Sequence, residues 1–253
     1  MKVGILIKKN LSPFEINVVN YILSSDRINV CLAVVDIRKQ KSLKKKLITN
    51  LKKGRGGYVL VMALKKVFSP ADNLVTATSY FEKHNIPVLF SENLYSQETI
   101  SFIKHKSPDI LLLVDAFGII KNPILSIAPK GVFSFHHGDI RKYRGMPPAF
   151  WELYNGEKEM GITVQRLNER LDSGVPVIEK KVEIKPNDSL KTLTQRVFSE
   201  SEPMMMQAVE SVVSNNFSSH PVETLGKIYT LPNLTQWIIF NFKIRYRKII
   251  SRF

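Results

Sequence analysis

SPDILLLVDAFGIIKNPILSIAPKGVFSFHH, residues 107–137, contains two apolar runs parted by a turn and a short intervening segment. DILLLVDAF is nearly uninterrupted and short, as a parallel strand covered on both faces requires. KNP reads as a turn, PILSIA as a short helix and GVFSFHH as the next strand. Working outward, KVGILIK (2–8) and RINVCLAVVD (27–36) read as further buried strands. Between them, Ser12, Pro13 and Glu15 have the spacing of a capping box with proline at the first helical position. A helix around 58–67, a helix near 75–84, a strand at 86–90 and a helix from 97 to 106 continue the alternation. Strands alternating with helices predict an α/β fold, a doubly wound and mostly parallel sheet with ligands at the carboxyl ends of its strands. His136 ends one such strand.

Past residue 160 the order changes. MGITVQRLN (160–168) and VPVIEKKVEI (175–184) read as a strand pair joined by the LDSG turn, and 187–213 reads as one or two helices opened by Asp188 or Ser189. The expected organisation is a domain over 1–213 and a basic amphipathic extension over 214–253.

Charge is unevenly placed. The net charge is +15, yet residues 37–66 hold eleven Lys/Arg and residues 237–253 five, with no acid in either, so the remainder is close to neutral. Two basic segments on a neutral body predict docking to something anionic and no nucleic-acid partner. WIIFNFKIRYRKIISRF (237–253) sets Ile239, Phe242, Tyr246, Ile249 and Phe253 on one helical face beside Lys243, Arg247 and Lys248. Such a helix suits peripheral contact with an anionic membrane. FKIRYR also alternates as a strand, and a packed or homodimerising tail stays open. The single cysteine, Cys31, in an apolar run fits a reducing, cytoplasmic location. KVGILIKK is far shorter than a signal peptide's apolar core, and no run approaches the length of a membrane span.

The chemistry concentrates in GVFSFHHGDIRKYRGMPPAFWELYNGEKEMGITVQRLNERLDSGVPVIEKKVEIKPNDSLKTL, residues 131–193. His136, Tyr143-Arg144-Gly145, Pro147, Trp151, Gly156-Glu157, Gly161, Thr163-Val164 and Leu171-Asp172-x-Gly174 follow one another in the order and spacing of a known pattern. The segment resembles the core of the folate-dependent formyltransferase superfamily, which includes glycinamide ribonucleotide, methionyl-tRNA and nucleotide-sugar formyltransferases. Residues 107–195 carry the resemblance well and 1–106 only by element order.

The resemblance implies formyl transfer from 10-formyltetrahydrofolate, as co-substrate, to an amine. That reaction passes through a tetrahedral oxyanion, so it needs donors aimed at an oxygen and a base for the amine's proton. By position, His136 would stabilise the oxyanion and shuttle a proton, while Asp172 would orient it and help, through water, to deprotonate the nucleophile; Ser134 stands where the family has asparagine. Phe117, Gly118, Ile119, Asp139 and Ile140 correspond to the donor pocket. Arg144 and Gly145, with Lys8, Lys9, Asn10 and His137, are candidates for an anionic small-molecule substrate. No metal site is expected, since adjacent histidines on opposite faces of a strand chelate poorly. Ser134, His136 and Asp172 also invite a serine-hydrolase reading, but the first two stand about 7 Å apart along a strand, and no GxSxG elbow surrounds the serine.

An amino sugar, nucleotide- or lipid-linked, is the expected acceptor by elimination. The sequence has neither the second domain seen in tRNA formyltransferases nor the glycine-rich phosphate loop of the purine enzyme. A formyl hydrolase using the same His and Asp, or a binding protein with an altered site, are the alternatives.

Overall fold

The computed structural model describes residues 1–39, 43–52, 54, 74–214 and 221–250. The helix expected around 58–67, most of the first basic segment and Phe253 lie outside the described residues. In chain order the elements are β1 (Lys2–Lys8), β2 (Asn10–Leu11), α1 (Pro13–Leu23), β3 (Asn29–Asp36), α2 (Leu43–Lys52), β4 (Val75–Thr76), α3 (Ala77–Lys83), β5 (Val88–Ser91), α4 (Gln97–Lys106), β6 (Ile110–Asp115) and α5 (Ile124–Ile127). They continue with β7 (Val132–His136), β8 (Tyr143–Gly145), α6 (Phe150–Asn155), β9 (Glu159–Arg166), β10 (Val175–Glu183), α7 (Leu190–Ser201), α8 (Met204–Val213), β11 (Lys227–Tyr229) and α9 (Leu234–Ile250).

Seven strands form one sheet in the order β10-β9-β7-β6-β1-β3-β5. The strands from β7 through β5 are parallel to one another, and β9 and β10 close the edge as an antiparallel pair. The chain builds outward from β1 in one direction, then returns to place β6 on its other side. This reversal opens a crevice beyond the carboxyl ends of β1 and β6, the usual ligand position in such sheets.

Strand alternation divides the core. Ile5, Ile7, Leu112, Phe133 and Val164 point to one face and pack with Val18 and Ile22 of α1, Val197 of α7 and Met205 and Val209 of α8. Leu6, Leu32, Leu111, Leu113 and Val132 point to the other and meet Ile103 of α4 and Ile124 of α5. Because Phe133 and Phe135 belong to the first face, Ser134 and His136 belong to the second. α1 begins as the sequence predicts: the Ser12 backbone N–H donates to Glu15 at 2.6 Å. For α7 the cap is Ser189, whose hydroxyl accepts from Thr192, while Asp188 accepts from the Lys185 backbone at 2.7 Å.

Residues 227–250 pack onto this body. β11 lies parallel to β8, and α9 sets Trp237 and Phe240 into the core against Phe150, with ring centroids 5.8 and 4.5 Å away. FKIRYR is thus helical. A buried aromatic here is worth roughly 1.5–3 kcal/mol of transfer free energy, more than that run's β-alternation offers without a neighbouring strand to pair with.

His137, on the opposite face from His136, stacks on Phe135 and Phe198 and contacts Ser201 Oγ at 3.1 Å. Burial, with the nearby His136, pushes its pKa from 6.5 down to about 3. Glu152 of α6 is 3% exposed, and burial raises its pKa from 4.5 to about 7.

Two outcomes follow from this packing. Urea unfolding should show Phe240→Ala losing about 3–5 kcal/mol and Phe242→Ala, whose side chain points outward, losing under about 0.5 kcal/mol. Comparable losses would place α9 differently. In acid the two buried groups act with opposite signs. Between pH 6.5 and about 3 the unfolded chain binds a proton at position 137 that the folded chain refuses, so stability falls with acid and His137→Phe should flatten that limb. Between 4.5 and about 7 the folded chain holds the extra proton at Glu152. Stability from that group is therefore lost as pH rises through 7, and Glu152→Gln should remove the loss.

Candidate active site

His136 ends β7 at the crevice and is 5% exposed. Its Nδ1 lies 3.5 Å from Asp172 Oδ1, and its Nε2 is 2.7 Å from the Tyr143 carbonyl. Both ring nitrogens therefore face acceptor oxygens. Gly138 makes the second contact possible, since a Cβ there would stand 2.7 Å from His136 Nε2 and 2.9 Å from the Tyr143 oxygen.

Asp172 is held in a left-handed conformation, φ 43°, which costs a non-glycine residue about 1–3 kcal/mol and persists only where its surroundings enforce it. Three contacts do so. Its Oδ2 accepts the Gly145 N–H at 2.7 Å. Gln165, buried in β9, accepts the Gly174 N–H at 2.9 Å. Asn168 clamps the turn by donating to the Ser173 carbonyl at 2.6 Å. The turn aspartate and the strand-end histidine are brought together by this brace.

The Tyr-Arg-Gly run locks the loop over the site. Tyr143 donates to Glu157 Oε1 at 2.9 Å and accepts from Asn155 at 2.9 Å, and burial raises its phenol pKa. Arg144 spends Nη2 on the Leu171 carbonyl at 2.8 Å and Nη1 on the Gly226 carbonyl at 3.3 Å, while its Nε is buried without a partner among the described residues. Gly145 has φ 89°, and a Cβ on it would sit 2.1 Å from the Tyr229 oxygen. Only glycine lets β11 approach β8. Trp151 ties the same strap by donating to the Thr230 carbonyl at 3.1 Å.

Other residues singled out in the sequence fall in three groups. Ser134 shares the face of His136 and makes only a 3.4 Å contact with the Phe135 carbonyl. Phe117, Gly118 and Ile119 form the turn after β6, with the Phe117 N–H donating to Asp36 at 2.9 Å and Ile119 exposed. This turn meets the Asp172 loop through an Asn122–Glu169 hydrogen bond of 2.8 Å. Ile119 of the first segment and Leu171 of the second are both exposed apolar side chains.

The remainder stand elsewhere. Ile140 is fully buried behind the loop, its carbonyl taken by the Gly226 N–H at 2.9 Å, and is closed to a ligand. Asp139 caps Arg141 and lines a separate cavity of about 370 Å³ with Glu152 and Glu179. His137 belongs to the aromatic stack on the far face. Lys8 is neutralised by Glu15 at 3.0 Å and Asp115 at 2.8 Å, which leaves it little charge to offer a substrate. Lys9 is exposed, and Asn10 pairs with Thr76 in a small ribbon. Among the described residues no cluster of His, Cys, Asp and Glu could hold a metal ion.

Gln165 and Glu152 escaped the sequence reading. Gln165 had a signal: Gly161, Thr163 and Gln165 alternate with Met160, Ile162 and Val164, a small-and-polar row on the site's face of an otherwise buried strand. Glu152, inside an aromatic helix start, had none.

A family profile described as formyl transferase matches residues 32–209. The methionyl-tRNA formyltransferase of Thermotoga maritima is 27% identical over 135 residues, covering 53% of this chain and 43% of that protein. The chain spans about half or less of the length of such curated relatives. Among solved structures, an N-formyltransferase from Helicobacter canadensis, in complex with folinic acid and dTDP-3-aminofucose, superposes with a TM-score of 0.60 at 14% identity, covering 96% of this chain and 80% of that one. A sugar N-formyltransferase from Shewanella gives 0.62 at 13%, with 96% and 87% covered. At such identities these likenesses concern the fold alone. The profile covers well over half of the sequence, and the chain belongs to the formyl transferase family.

Proposed function

We propose that the chain transfers a formyl group from 10-formyltetrahydrofolate to the primary amine of an amino sugar, nucleotide- or lipid-linked. The observation that carries this reading is the braced pair His136–Asp172, joined to the glycine of the covering loop through one carboxylate. The amine nitrogen bonds to the formyl carbon and the carbonyl π pair moves to oxygen; the amine's surplus proton passes by way of water and the His136–Asp172 pair to N10, and the oxyanion re-forms the carbonyl as the carbon–N10 bond breaks. Asp172 holds Nδ1 of His136, and the Nε2 contact now made to the Tyr143 carbonyl is exchanged for the developing oxyanion. Such catalytic contacts commonly tighten only with substrate present. Ser134, on the same face with a hydroxyl not locked by a strong bond, adds a second donor.

Three features support the donor and the acceptor. The turn of Phe117, Gly118 and Ile119 beside the Asp172 loop provides an apolar flank for a folate ring. The strap of β11 across β8 leaves His136 almost enclosed, which favours a small acceptor over a macromolecular one. The Helicobacter protein of this fold was solved with an amino-sugar nucleotide.

The test is incubation with 10-formyltetrahydrofolate and a panel of amino-sugar nucleotides, read by mass spectrometry. One acceptor should gain a formyl group, and His136→Ala should lower kcat by about 100-fold or more. Free formate released without an amine would instead mark a hydrolase, and formylation of methionyl-tRNA alone would overturn the acceptor. Ser134→Asn, with its longer reach, should raise kcat a few-fold. A collapse in kcat would mean the site is built around the hydroxyl.

A further inference from the structure

α9 has two apolar faces, and the fold uses one. Trp237 and Phe240 pack inward on Phe150. Ile238, Ile239, Phe242, Tyr246, Ile249 and Ile250 all stand outside, with Phe242 and Tyr246 each 67% exposed. At 3.6 residues per turn these six occupy an arc of roughly 120° along the whole helix. An exposed apolar stripe of that length marks a contact surface.

Charge says what kind. The helix carries Lys243, Arg245, Arg247 and Lys248 and no acid. Arg245 is exposed beside one margin of the stripe, and Lys243 stands beside the other, its Nζ donating to the Tyr154 carbonyl at 2.8 Å. A second copy laid on this face would set cations against cations, with no carboxylate on the helix to offset them. No helix among the described residues is long and apolar enough to cross a membrane. A helix that is apolar outward and cationic at its margins, backed by a folded body, suits lying in the headgroup layer of an anionic bilayer.

We propose that the outer face of α9 docks the protein on an anionic lipid surface, with Phe242 and Tyr246 entering the interface and Arg245 meeting lipid headgroups. β11 and Thr230, which close the site over Gly145 and Trp151, lead directly into this helix, so the docking helix and the strap over the site are one continuous segment. The docking is independent of the acceptor's identity, and the failure of either reading leaves the other standing.

Co-sedimentation of the full chain with vesicles tests it. Phosphatidylcholine vesicles containing about a third phosphatidylserine should bind at least about tenfold more tightly than phosphatidylcholine alone, and added salt should weaken the binding. Phe242→Ser with Tyr246→Ser should lower binding about tenfold or more with an unchanged circular dichroism spectrum and Tm, and Arg245→Glu should reduce the preference for phosphatidylserine. Folded protein that ignores both vesicle types overturns the proposal, as does equal binding to both. A concentration-dependent dimer dissolved by the double serine variant would assign the face to a second copy instead.

Discussion

A single carboxylate sets the geometry of the site. Asp172 accepts a backbone N–H from Gly145 with one oxygen and faces the His136 ring with the other. The first contact fixes the covering loop and the second fixes the histidine, so loop and ring are positioned against each other by one group. Holding it requires an unfavourable left-handed backbone. The buried Gln165 and the Asn168 clamp supply the enforcement from β9 and its turn, elements whose places follow from the sheet.

The sheet itself was legible in the residues. DILLLVDAF, RINVCLAVVD and KVGILIK are apolar on both faces because both faces are covered, and this is the property that periodicity reports. Ser12, Pro13 and Glu15 likewise encode a local event within one turn of chain. His136 and Asp172 were legible as members of an ordered motif. Their contact was not, because it spans 36 residues and depends on a turn conformation that residue types only permit.

What escaped the sequence is what depends on long-range packing. Ile140 and Asp139 were expected beside a donor pocket, but the Gly226 N–H caps the Ile140 carbonyl, and the loop turns one residue inward and the other toward a different cavity. Lys8 carries a charge in the sequence and almost none in effect once Glu15 and Asp115 flank it. Both faces of α9 look alike in hydropathy, and only the position of Phe150 decides which is buried.

The pairing of β8 with β11 has a consequence for the order in which the site is assembled. The strap reaches back across more than 80 residues to the loop that covers His136, and it is supplied by one of the last described segments of the chain. β1 and β6 pair across 107 residues, so loop length does not set the strap apart, but every strand of the seven-stranded sheet precedes Lys227 in the chain and can form first. During synthesis His136 would therefore stay open until the segment around Lys227 has emerged, so that the sheet folds early and the pocket around the histidine closes late.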